Sequence, residues 1–330
     1  MRSSSIALAV SLLFGLLPLS GNGHRSTGQA DGRSSSDTLT ITFTGDLLLD
    51  RGVRRVIEAY NNNQGSPDSL RCLDCLFSFS IDSLFRASQV VVANLECPAT
   101  KIKAPVFKRF IFRGEPEWLT ALRHHGITHL NLANNHSIDQ GRQGLMDTRR
   151  NIIAAGMTPI GAGRNMQEAV QPVLLSEECG RPVWLLSSVR LMLENFAYLD
   201  DRPCVSQEPM DSLVQRVRQL RDADPRAVII VSLHWGGEHT LQPVPAQRLD
   251  AHRLIDAGAD ALICHHTHTM QTIETYRGRP IYYSIGNFIF DQPKLINSQA
   301  CLVQLKITED SVAAVTIPIV IQRCRPDIAR

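Results

Sequence analysis

Carboxylate, amide and imidazole side chains recur along this chain at the ends of short apolar runs. Asp46 follows the first run, Glu96 the second and His136 the third, and further histidines follow the later runs. Oxygens of Asp, Glu and Asn and neutral His nitrogens are the ligands that zinc, manganese and iron accept from proteins. The pattern therefore predicts a metal site.

His266 and His268 are two residues apart, so on an extended segment both side chains face the same side. Such a pair holds one ion or is divided between two neighbouring ions. Two ions together polarise a substrate oxygen and generate a hydroxide, which is the chemistry of hydrolysis. The preceding His265 is expected to point the other way and to pack or hydrogen-bond instead.

The apolar runs before these residues predict β-strands, and helical stretches fit between them. Alternation of this kind argues for βαβ units and a largely parallel sheet. Gly126, Gly156 and Gly258 follow three of the helices, where a C-terminal glycine cap is expected. The predicted strands are 39–44, 90–94, 129–133, 228–233, 261–264 and 281–285, and the predicted helices are 116–125, 145–155, 210–221 and 246–257.

The position of the polar residues relative to the strands favours a functional site over a set of isolated turns. In open α/β sheets, ligands bind outside the carboxyl ends of the strands. A single Asp or Asn after one strand usually forms only a turn. Here each predicted strand is followed by polar side chains. We therefore expect these residues to meet at one edge of the fold.

Composition excludes some classes of partner. The 330 residues are 43% hydrophobic and 20% charged, as expected of a folded protein with a large core. The formal net charge is +2, from 34 basic and 32 acidic residues spread along the chain. No basic stripe of the kind that contacts a phosphate backbone is visible, so we expect no nucleic-acid partner.

The N-terminal residues have the layout of a secretory signal peptide. Arg2 precedes an apolar run at 6–19, and small residues follow. The run is shorter than the roughly 20 apolar residues needed to span a bilayer, although a retained signal anchor is an alternative. We expect a signal peptide at 1–23, a flexible linker at 24–36 and one domain at 37–330. The protein is expected to be exported and to be periplasmic, cell-surface or secreted.

The cysteines fit an oxidising compartment. Cys72 and Cys75 form a Cys-x-x-Cys pair, but a structural zinc site needs a second pair with that spacing, and the chain has none. A disulfide bond is therefore the favoured use of the cysteines outside the polar cluster, and its connectivity is left open. The candidates are Cys72, Cys75, Cys179, Cys204, Cys301 and Cys324.

Several sequence blocks resemble a known family. The chain is similar to the CapA, or poly-γ-glutamate capsule synthesis, family from about residue 40 to residue 291. Each block is weakly specific alone, but together they occur in order and with consistent spacing. The blocks are 44–52, 93–96, 132–136, 232–236, 258–260, 266–268 with Gln271 and Glu274, and 283–288.

The resemblance implies a fold and a set of roles. The family is related to calcineurin-like metallophosphatases, so an α/β four-layer sandwich with two mixed β-sheets flanked by helices is expected. One or two divalent ions (Mn, Zn or Fe) are implied. Asp46 and His268 resemble the ligands of one ion, and Asn135, His234 and His266 those of the other. Glu96 lies where phosphatases place a bridging aspartate, and His136 resembles the histidine that donates a hydrogen bond or proton to substrate.

The chain also departs from the phosphatase pattern. Phosphatases place a His two residues after the first Asp, and this chain has Leu48 there. Their second block is Gly-Asp-x-x-Asp, and this chain has Asn94, Leu95 and Glu96. The first metal site therefore has at least one ligand fewer, a reduction that is typical of the CapA family.

Four further residues are candidates for the site. Glu238 is expected either to act as a general base or to orient His234 without being a ligand itself. Arg51 is expected either to bind an anionic group of the substrate or to form a structural ion pair. Trp235 stacks on substrate, or it packs in the core. Asn287 is assigned to substrate binding as part of the scaffolding of the site.

These residues lead to a functional expectation. The leading hypothesis is a CapA-like protein of poly-γ-glutamate biosynthesis or export, acting as a metal-dependent hydrolase on an acidic polymer or its precursor. One alternative is a non-catalytic export factor that holds a polyanion in the same cleft, and another is a phosphoesterase. The expected partner is an acidic polymer or a small anionic substrate, with a membrane-associated export machinery as a further candidate.

Overall fold

The described part of the chain comprises residues 38–65, 68, 70–192 and 201–329 of a computed structural model. The expected signal peptide and linker lie outside the described residues. The strands are β1 Leu39–Leu47, β2 Val90–Leu95, β3 His129–Asn131, β4 Thr158–Ile160, β5 Ala162–Gly163, β6 Val173–Ser176, β7 Val183–Val189, β8 Cys204–Val205, β9 Val228–His234, β10 Ala261–Ile263, β11 Ile273–Tyr276, β12 Arg279–Tyr282, β13 Asn287–Ile289, β14 Gln299–Ile307, β15 Val312–Gln322 and β16 Arg325–Ile328. The α-helices are α1 Arg51–Gln64, α2 Phe79–Arg86, α3 Trp118–His124, α4 Gly141–Ala154, α5 Met166–Ala169, α6 Met210–Ala223, α7 Pro245–Asp256 and α8 Leu295–Ser298, and a 3₁₀-helix spans Asp74–Leu76.

Most strands belong to two mixed sheets. The first sheet has the order β16-β15-β14-β1-β2-β3-β4, and β13 also pairs with β1. Its strands β1 to β4 are parallel, whereas β14 to β16 are antiparallel to their neighbours. The second sheet has the order β11-β12-β10-β9-β7-β6, with antiparallel strands at both edges. A separate pair joins β5 to β8.

Alternating apolar residues on the strands explain why the two sheets pack face to face. Ile41 and Phe43 of β1 are buried and contact the same core as Leu185 of β7, Ile230 of β9 and Ile263 of β10. Successive residues of a strand point to opposite faces, so every second residue enters this central core. Burying large apolar side chains contributes about 1.5–3 kcal/mol each, which makes this layer a main source of stability.

Helices cover the outer face of each sheet. Val91 and Ala93 of β2 point away from the central core and pack in a second core with residues of α1 to α4. On the other sheet, Ile229 and Val231 of β9 pack in a third core with residues of α6 and α7, including Leu213. The order is helices, sheet, sheet, helices. The four-layer sandwich implied by the resemblance is thus confirmed.

The six predicted strands are all present, but they are divided between the sheets. The first three became β1, β2 and β3, and the last three lie in β9, β10 and β12. The expectation of one largely parallel sheet from the β/α alternation is wrong. Hairpins such as that between β14 and β15 reverse the chain and add antiparallel strands. The four predicted helices correspond to α3, α4, α6 and α7, with shifted ends. Gly126, Gly156 and Gly258 follow three of them with positive φ angles, as the caps require.

The disulfide prediction is wrong for the cysteines that the structure allows us to assess. Cys75, Cys179, Cys301 and Cys324 carry free thiols. Most of these thiols lie among apolar neighbours, where cysteine packs as a small hydrophobic side chain. Burial raises the pKa of Cys301 to about 12, which keeps this thiol protonated and unreactive.

No helix in the described ranges is long and apolar enough to cross a membrane.

A close approach of two backbones fixes the end of β1. The amide N–H of Asp46 donates to the carbonyl oxygen of Gly286 over 3.1 Å. A Cβ atom on Gly45 would lie 2.1 Å from that oxygen, so only glycine fits at this position. The contact sets Asp46 beside Asn287 of β13, in register.

We predict that Gly45→Ala destabilises the protein by about 3 kcal/mol or more, because the backbone atoms it would strike cannot move aside as a side chain can. Thermal unfolding measures the effect as a lowered melting temperature. Gly237→Ala is the matched control, since its Cβ would make an ordinary 3.5 Å contact with Thr240. Equal melting temperatures for the two variants would contradict the conclusion that only glycine fits at position 45.

Candidate metal centre

The carboxyl ends of strands from both sheets meet at one edge of the sandwich. Asp46 lies near the end of β1 and pairs in register with Asn94 near the end of β2. His234 is the last residue of β9, and it forms a β-bridge with His265, which follows β10. The expectation that strand ends gather the polar residues is met. However, the edge belongs to two sheets instead of one.

Asp46 is fully buried and is surrounded by nitrogen atoms. Asn94 Nδ2 donates to Asp46 Oδ1 over 2.8 Å, and His268 Nδ1 lies 3.3 Å from Asp46 Oδ2. Burial alone would raise the pKa of Asp46, but the hydrogen bond and charge of His268 outweigh it and hold the pKa well below its usual value. Burial also opposes the charge on His268, yet Glu96 and Asp46 raise the pKa of His268 to about 9. The pair is therefore an ion pair.

His265 also faces this carboxylate. Its Nδ1 lies 3.5 Å from Asp46 Oδ1, and burial lowers the pKa of His265. The sequence-based expectation that His265 points away from the cluster is wrong. The chain turns sharply after β10, so consecutive residues do not alternate as they would on an extended strand.

Neutral imidazoles form the other side of the cluster. His234 Nε2 lies 2.9 Å from Asn135 Oδ1 and 3.1 Å from His266 Nδ1. Burial lowers the pKa of His234 well below its usual value and that of His266 to about 2. Two uncharged ring nitrogens and an amide oxygen thus point at one another in a dry environment. A cation satisfies such a set of lone pairs.

Glu96 lies between the two halves with both of its oxygens unsatisfied. Its side chain is fully buried, and neither Oε1 nor Oε2 accepts a hydrogen bond from the described residues. His234 Nε2 lies 3.5 Å from Oε1, and His268 Nδ1 lies 3.9 Å from Oε2. Burial, together with the charge of Asp46, raises the pKa of Glu96 to about 8. A buried carboxylate without partners is costly unless a proton or a cation neutralises it.

The donor atoms fit a metal centre in two halves. Glu96, His234 and His266 bring ligand atoms within 4.8 Å of one another, and so do Asp46, Glu96 and His268. Glu96 belongs to both groups, which is the position of a bridging carboxylate. The oxygens of Glu96 and the neutral imidazoles of His234 and His266 are the features that a divalent cation requires, and an ion in the half that contains Asp46 would displace the proton of His268. The residues present therefore fit one or two ions.

Backbone strain holds the two histidines that follow β10. His266 has a φ angle of 99° and His268 one of 57°, in the region that favours glycine. Both rings reach the cluster as the sequence predicted, but through this strained loop rather than along an extended segment. Strain of this kind persists only where the surroundings enforce it, and it concentrates at functional sites.

His136 belongs to a hydrogen-bonded group beside the cluster. Its Nδ1 lies 2.8 Å from Asp139 Oδ2, and Lys108 Nζ lies 2.9 Å from Asp139 Oδ1. Lys108 also donates to the backbone carbonyl of Asn135 over 2.7 Å. The lysine and the aspartate are nearly or fully buried. Sequence analysis missed both roles, because no strand precedes Lys108 and nothing in the local sequence marks it.

Two residues assigned to substrate binding have structural roles instead. Trp235 is 3% exposed, stacks on Tyr283 and donates its Nε1–H to the Tyr283 carbonyl oxygen over 3.0 Å. It is a core residue and cannot stack on a ligand. Asn287 is fully buried, and its Oδ1 lies 3.0 Å from His268 Nδ1. It orients that histidine, which is the scaffolding role expected of it.

The remaining candidates lie at the rim. Arg51 forms an ion pair with Asp291 and packs over the rings of Phe112 and Phe290, with a third of its side chain exposed. Of the two roles predicted for Arg51, the structure shows the ion pair. Glu238 is about half exposed, and its carboxylate lies 3.9 Å from His239 Nε2. The contacts of the His234 ring nitrogens are with other residues, so Glu238 does not orient His234.

The fold and the donor cluster together define a four-layer α/β sandwich with a candidate metal site at the shared edge of its two sheets. A family model described as bacterial capsule synthesis protein PGA_cap matches residues 40–292. The chain belongs to this family, as the sequence blocks indicated.

Individual relatives agree with that placement. The chain is 30% identical to the PGA biosynthesis protein CapA of Bacillus subtilis, over 88% of this chain and 74% of that protein. It is 32% identical to a Mycobacterium tuberculosis protein named for an accessory role in polyglutamine synthesis, over 88% and 86% of the two chains. The solved structure of the NAD nucleotidase of Haemophilus influenzae aligns with 89% of this chain and 54% of its own, at 9% identity and a TM-score of 0.48. That likeness is too low to bear on function.

The ion pair between Asp46 and His268 predicts how the stability of the metal-free protein depends on pH. The pKa of His268 is raised from 6.5 to about 9, so the folded state binds more protons than the unfolded state between these values, and stability falls as pH rises through them. Glu96 acts in the same sense up to about pH 8. Melting temperatures in the presence of chelator should decrease from pH 6.5 to pH 9.

Asp46→Asn should flatten this dependence, because it removes one of the charges that raise the pKa of His268. The matched control is His129→Gln, since burial lowers the pKa of His129 to about 4 and keeps it neutral throughout this range. A melting temperature of the parent protein that is constant or rises over the same interval would refute the prediction.

Proposed function

We propose that this member of the capsule synthesis family is a metal-dependent hydrolase that cleaves an acidic polymer, or its precursor, during poly-γ-glutamate synthesis. The observation that carries the proposal is the buried carboxylate of Glu96, whose two oxygens lack partners and are shared by both ligand groups. A purely structural role would not explain a carboxyl group in that position, because its desolvation is not offset by hydrogen bonds.

Each half of the cluster would hold one divalent ion. Asp46, Glu96 and His268 would bind the first, and Glu96, His234 and His266 the second. Asn135 would support the second half, since its amide oxygen lies beside His234. When bound, ions of this kind polarise the scissile group and activate water for hydrolysis.

His136 is the residue best placed to move a proton. Its Nδ1 is held by Asp139, which fixes the orientation of the ring. The other ring nitrogen is then the one that can donate to the departing group of the substrate. Lys108 balances the charge of Asp139 and ties the backbone of Asn135 to the same group, so the histidine and its neighbours keep a fixed geometry.

The proposed class of substrate is taken from the names of two relatives of this chain. The Bacillus subtilis relative is named for PGA biosynthesis and the mycobacterial relative for an accessory role in polyglutamine synthesis. A γ-glutamyl amide is therefore the first bond to test, and a phosphoester the second. We also propose that the protein acts after export, as the N-terminal sequence predicts.

A non-catalytic function is the second candidate. Leu48 is fully buried where phosphatases have a histidine ligand, so the first half of the cluster offers fewer donors. A protein with this cluster that binds metal without turnover would be a polyanion-binding export factor. Metal content and turnover together separate the two functions.

The metal assignment predicts the effect of Glu96→Gln. The parent protein, purified without chelator, should contain one or two equivalents of Mn, Zn or Fe by elemental analysis. The variant should lose at least half of this metal, because a neutral amide is a far weaker ligand than a carboxylate that serves both halves. His129→Gln, a partly buried histidine outside the cluster, should retain the full amount. Equal metal content in Glu96→Gln and in the parent protein would show that Glu96 is not a metal ligand.

The catalytic assignment predicts the effect of His136→Gln. Turnover of a γ-glutamyl or phosphoester substrate should fall by about 10²–10⁴-fold, the usual effect of removing a general acid. Metal content should stay at the level of the parent protein, since His136 is in neither ligand group. Unchanged turnover would remove His136 from the mechanism. Full metal content with no turnover in the parent protein would favour the binding function.

A further inference from the structure

The segment at 101–113, which we call the basic segment, lies beside the metal centre and is anchored to it. Lys108, in its middle, reaches inward to Asp139 and to the carbonyl of Asn135. The backbone N–H groups of Val106 and Phe112 donate to Asp139 O and Asp139 Oδ2, over 3.0 and 2.8 Å. The segment is therefore held on the same loop that carries His136.

Further contacts hold the segment near its ends. The N–H of Ala104 donates to Gln140 Oε1 over 3.1 Å, and Gln140 Nε2 donates to the Phe112 carbonyl oxygen over 3.2 Å. Arg113 N donates to Asp50 Oδ2 over 2.8 Å. A loop with this many fixed backbone groups presents its outward side chains in defined positions.

The charged residues of the basic segment are all positive. The segment contains five basic residues, Lys101, Lys103, Lys108, Arg109 and Arg113, and no acidic residue. Lys108 is neutralised by Asp139, and Lys101 and Arg113 pair with Glu115. Lys103 and Arg109 are exposed, and neither forms an ion pair with any residue in the described ranges.

Exposed aromatic rings accompany these two charges. Phe107 is 91% exposed and Phe110 is 46% exposed, on either side of Lys108 and Arg109. The Arg109 guanidinium lies 5.0 Å from the centre of the Phe110 ring. Neighbouring large apolar side chains that remain in solvent mark an interaction surface. Basic and aromatic groups together suit a flexible chain that carries carboxylates on a backbone rich in methylene groups.

We propose that the exposed face of the basic segment, formed by Lys103, Phe107, Arg109 and Phe110, is the docking surface for a carboxylate-bearing polymer that enters the metal centre. This inference rests on the proposed function and specifies where the polymer binds. The charges attract the polymer and the rings contact its methylene groups. Because Lys108 joins the segment to His136 through Asp139, the docked chain lies next to the catalytic group.

The test is binding of poly-γ-glutamate to the full-length, metal-loaded protein, measured by calorimetry at low and at high salt. The double variant Lys103→Glu and Arg109→Glu should bind at least about tenfold more weakly at low salt, with a smaller loss at high salt, because exposed charges are screened. Its metal content and melting temperature should match those of the parent. Phe110→Ser should weaken binding at both salt concentrations.

The matched control is Arg218→Glu with Lys306→Glu, which makes the same change in net charge at exposed positions on other elements. The control should bind poly-γ-glutamate like the parent protein. Equal weakening in both double variants would reduce the effect to net charge and overturn the proposal, as would unchanged binding in the first. Poly-γ-glutamate with amidated carboxyl groups should not bind.

The outcome is separable from that of the proposed function. If the parent protein does not bind the polymer but contains metal and hydrolyses a small substrate, the docking surface is refuted and the hydrolase remains. If the parent binds the polymer through the basic segment without metal or turnover, the hydrolase is refuted instead.

Discussion

The burial of two carboxylates, Asp46 and Glu96, is the constraint on which the site depends. Moving a carboxylate out of water is unfavourable unless a charge of opposite sign or several hydrogen bonds accompany it. Asp46 has these, from His268 and Asn94, whereas Glu96 accepts no hydrogen bond from the described residues, and the ring nitrogens of His234 and His268 lie 3.5 and 3.9 Å from its oxygens. One carboxylate is thus satisfied by the protein alone, and the other is not. This imbalance gives the cluster its affinity for cations, since each added positive charge relieves a cost already present in the fold.

The sandwich is what makes such an arrangement stable. The two sheets form a rigid core, and strand ends of both sheets supply the polar groups at one edge. Ligands that come from opposite sheets cannot easily drift apart, because doing so would separate the central apolar layer. The strain at His266 and His268 is carried by the same framework. The helical layers contribute less directly, by covering the outer faces of the strands.

Much of the site could be predicted from sequence, because its ligands follow strands whose apolar pattern is clear. Asp46, Glu96, His234 and the two histidines after β10 all lie in the cluster. The division into two sheets was not visible in the β/α alternation, since hairpins form through pairing between distant strands. Lys108 was missed because its role depends on a loop that folds back over a later segment. For Trp235 the sequence left stacking on substrate and packing in the core both open, and only the packing of the helical layer shows that it is buried.

The first strand has two different partners along its length. Residues 39–43 of β1 pair with β14 in an antiparallel ladder, and Asp46 and Leu47 pair with β13 in a parallel one. The change occurs at Gly45, where the absence of a side chain lets the second partner approach. On this side of β1, the body of the sheet and the edge that carries Asp46 are therefore held by separate sets of hydrogen bonds, whereas β2 pairs with both parts on the other side. A local opening of the ladder to β13 would leave the ladder to β14 in place, so it costs less than global unfolding.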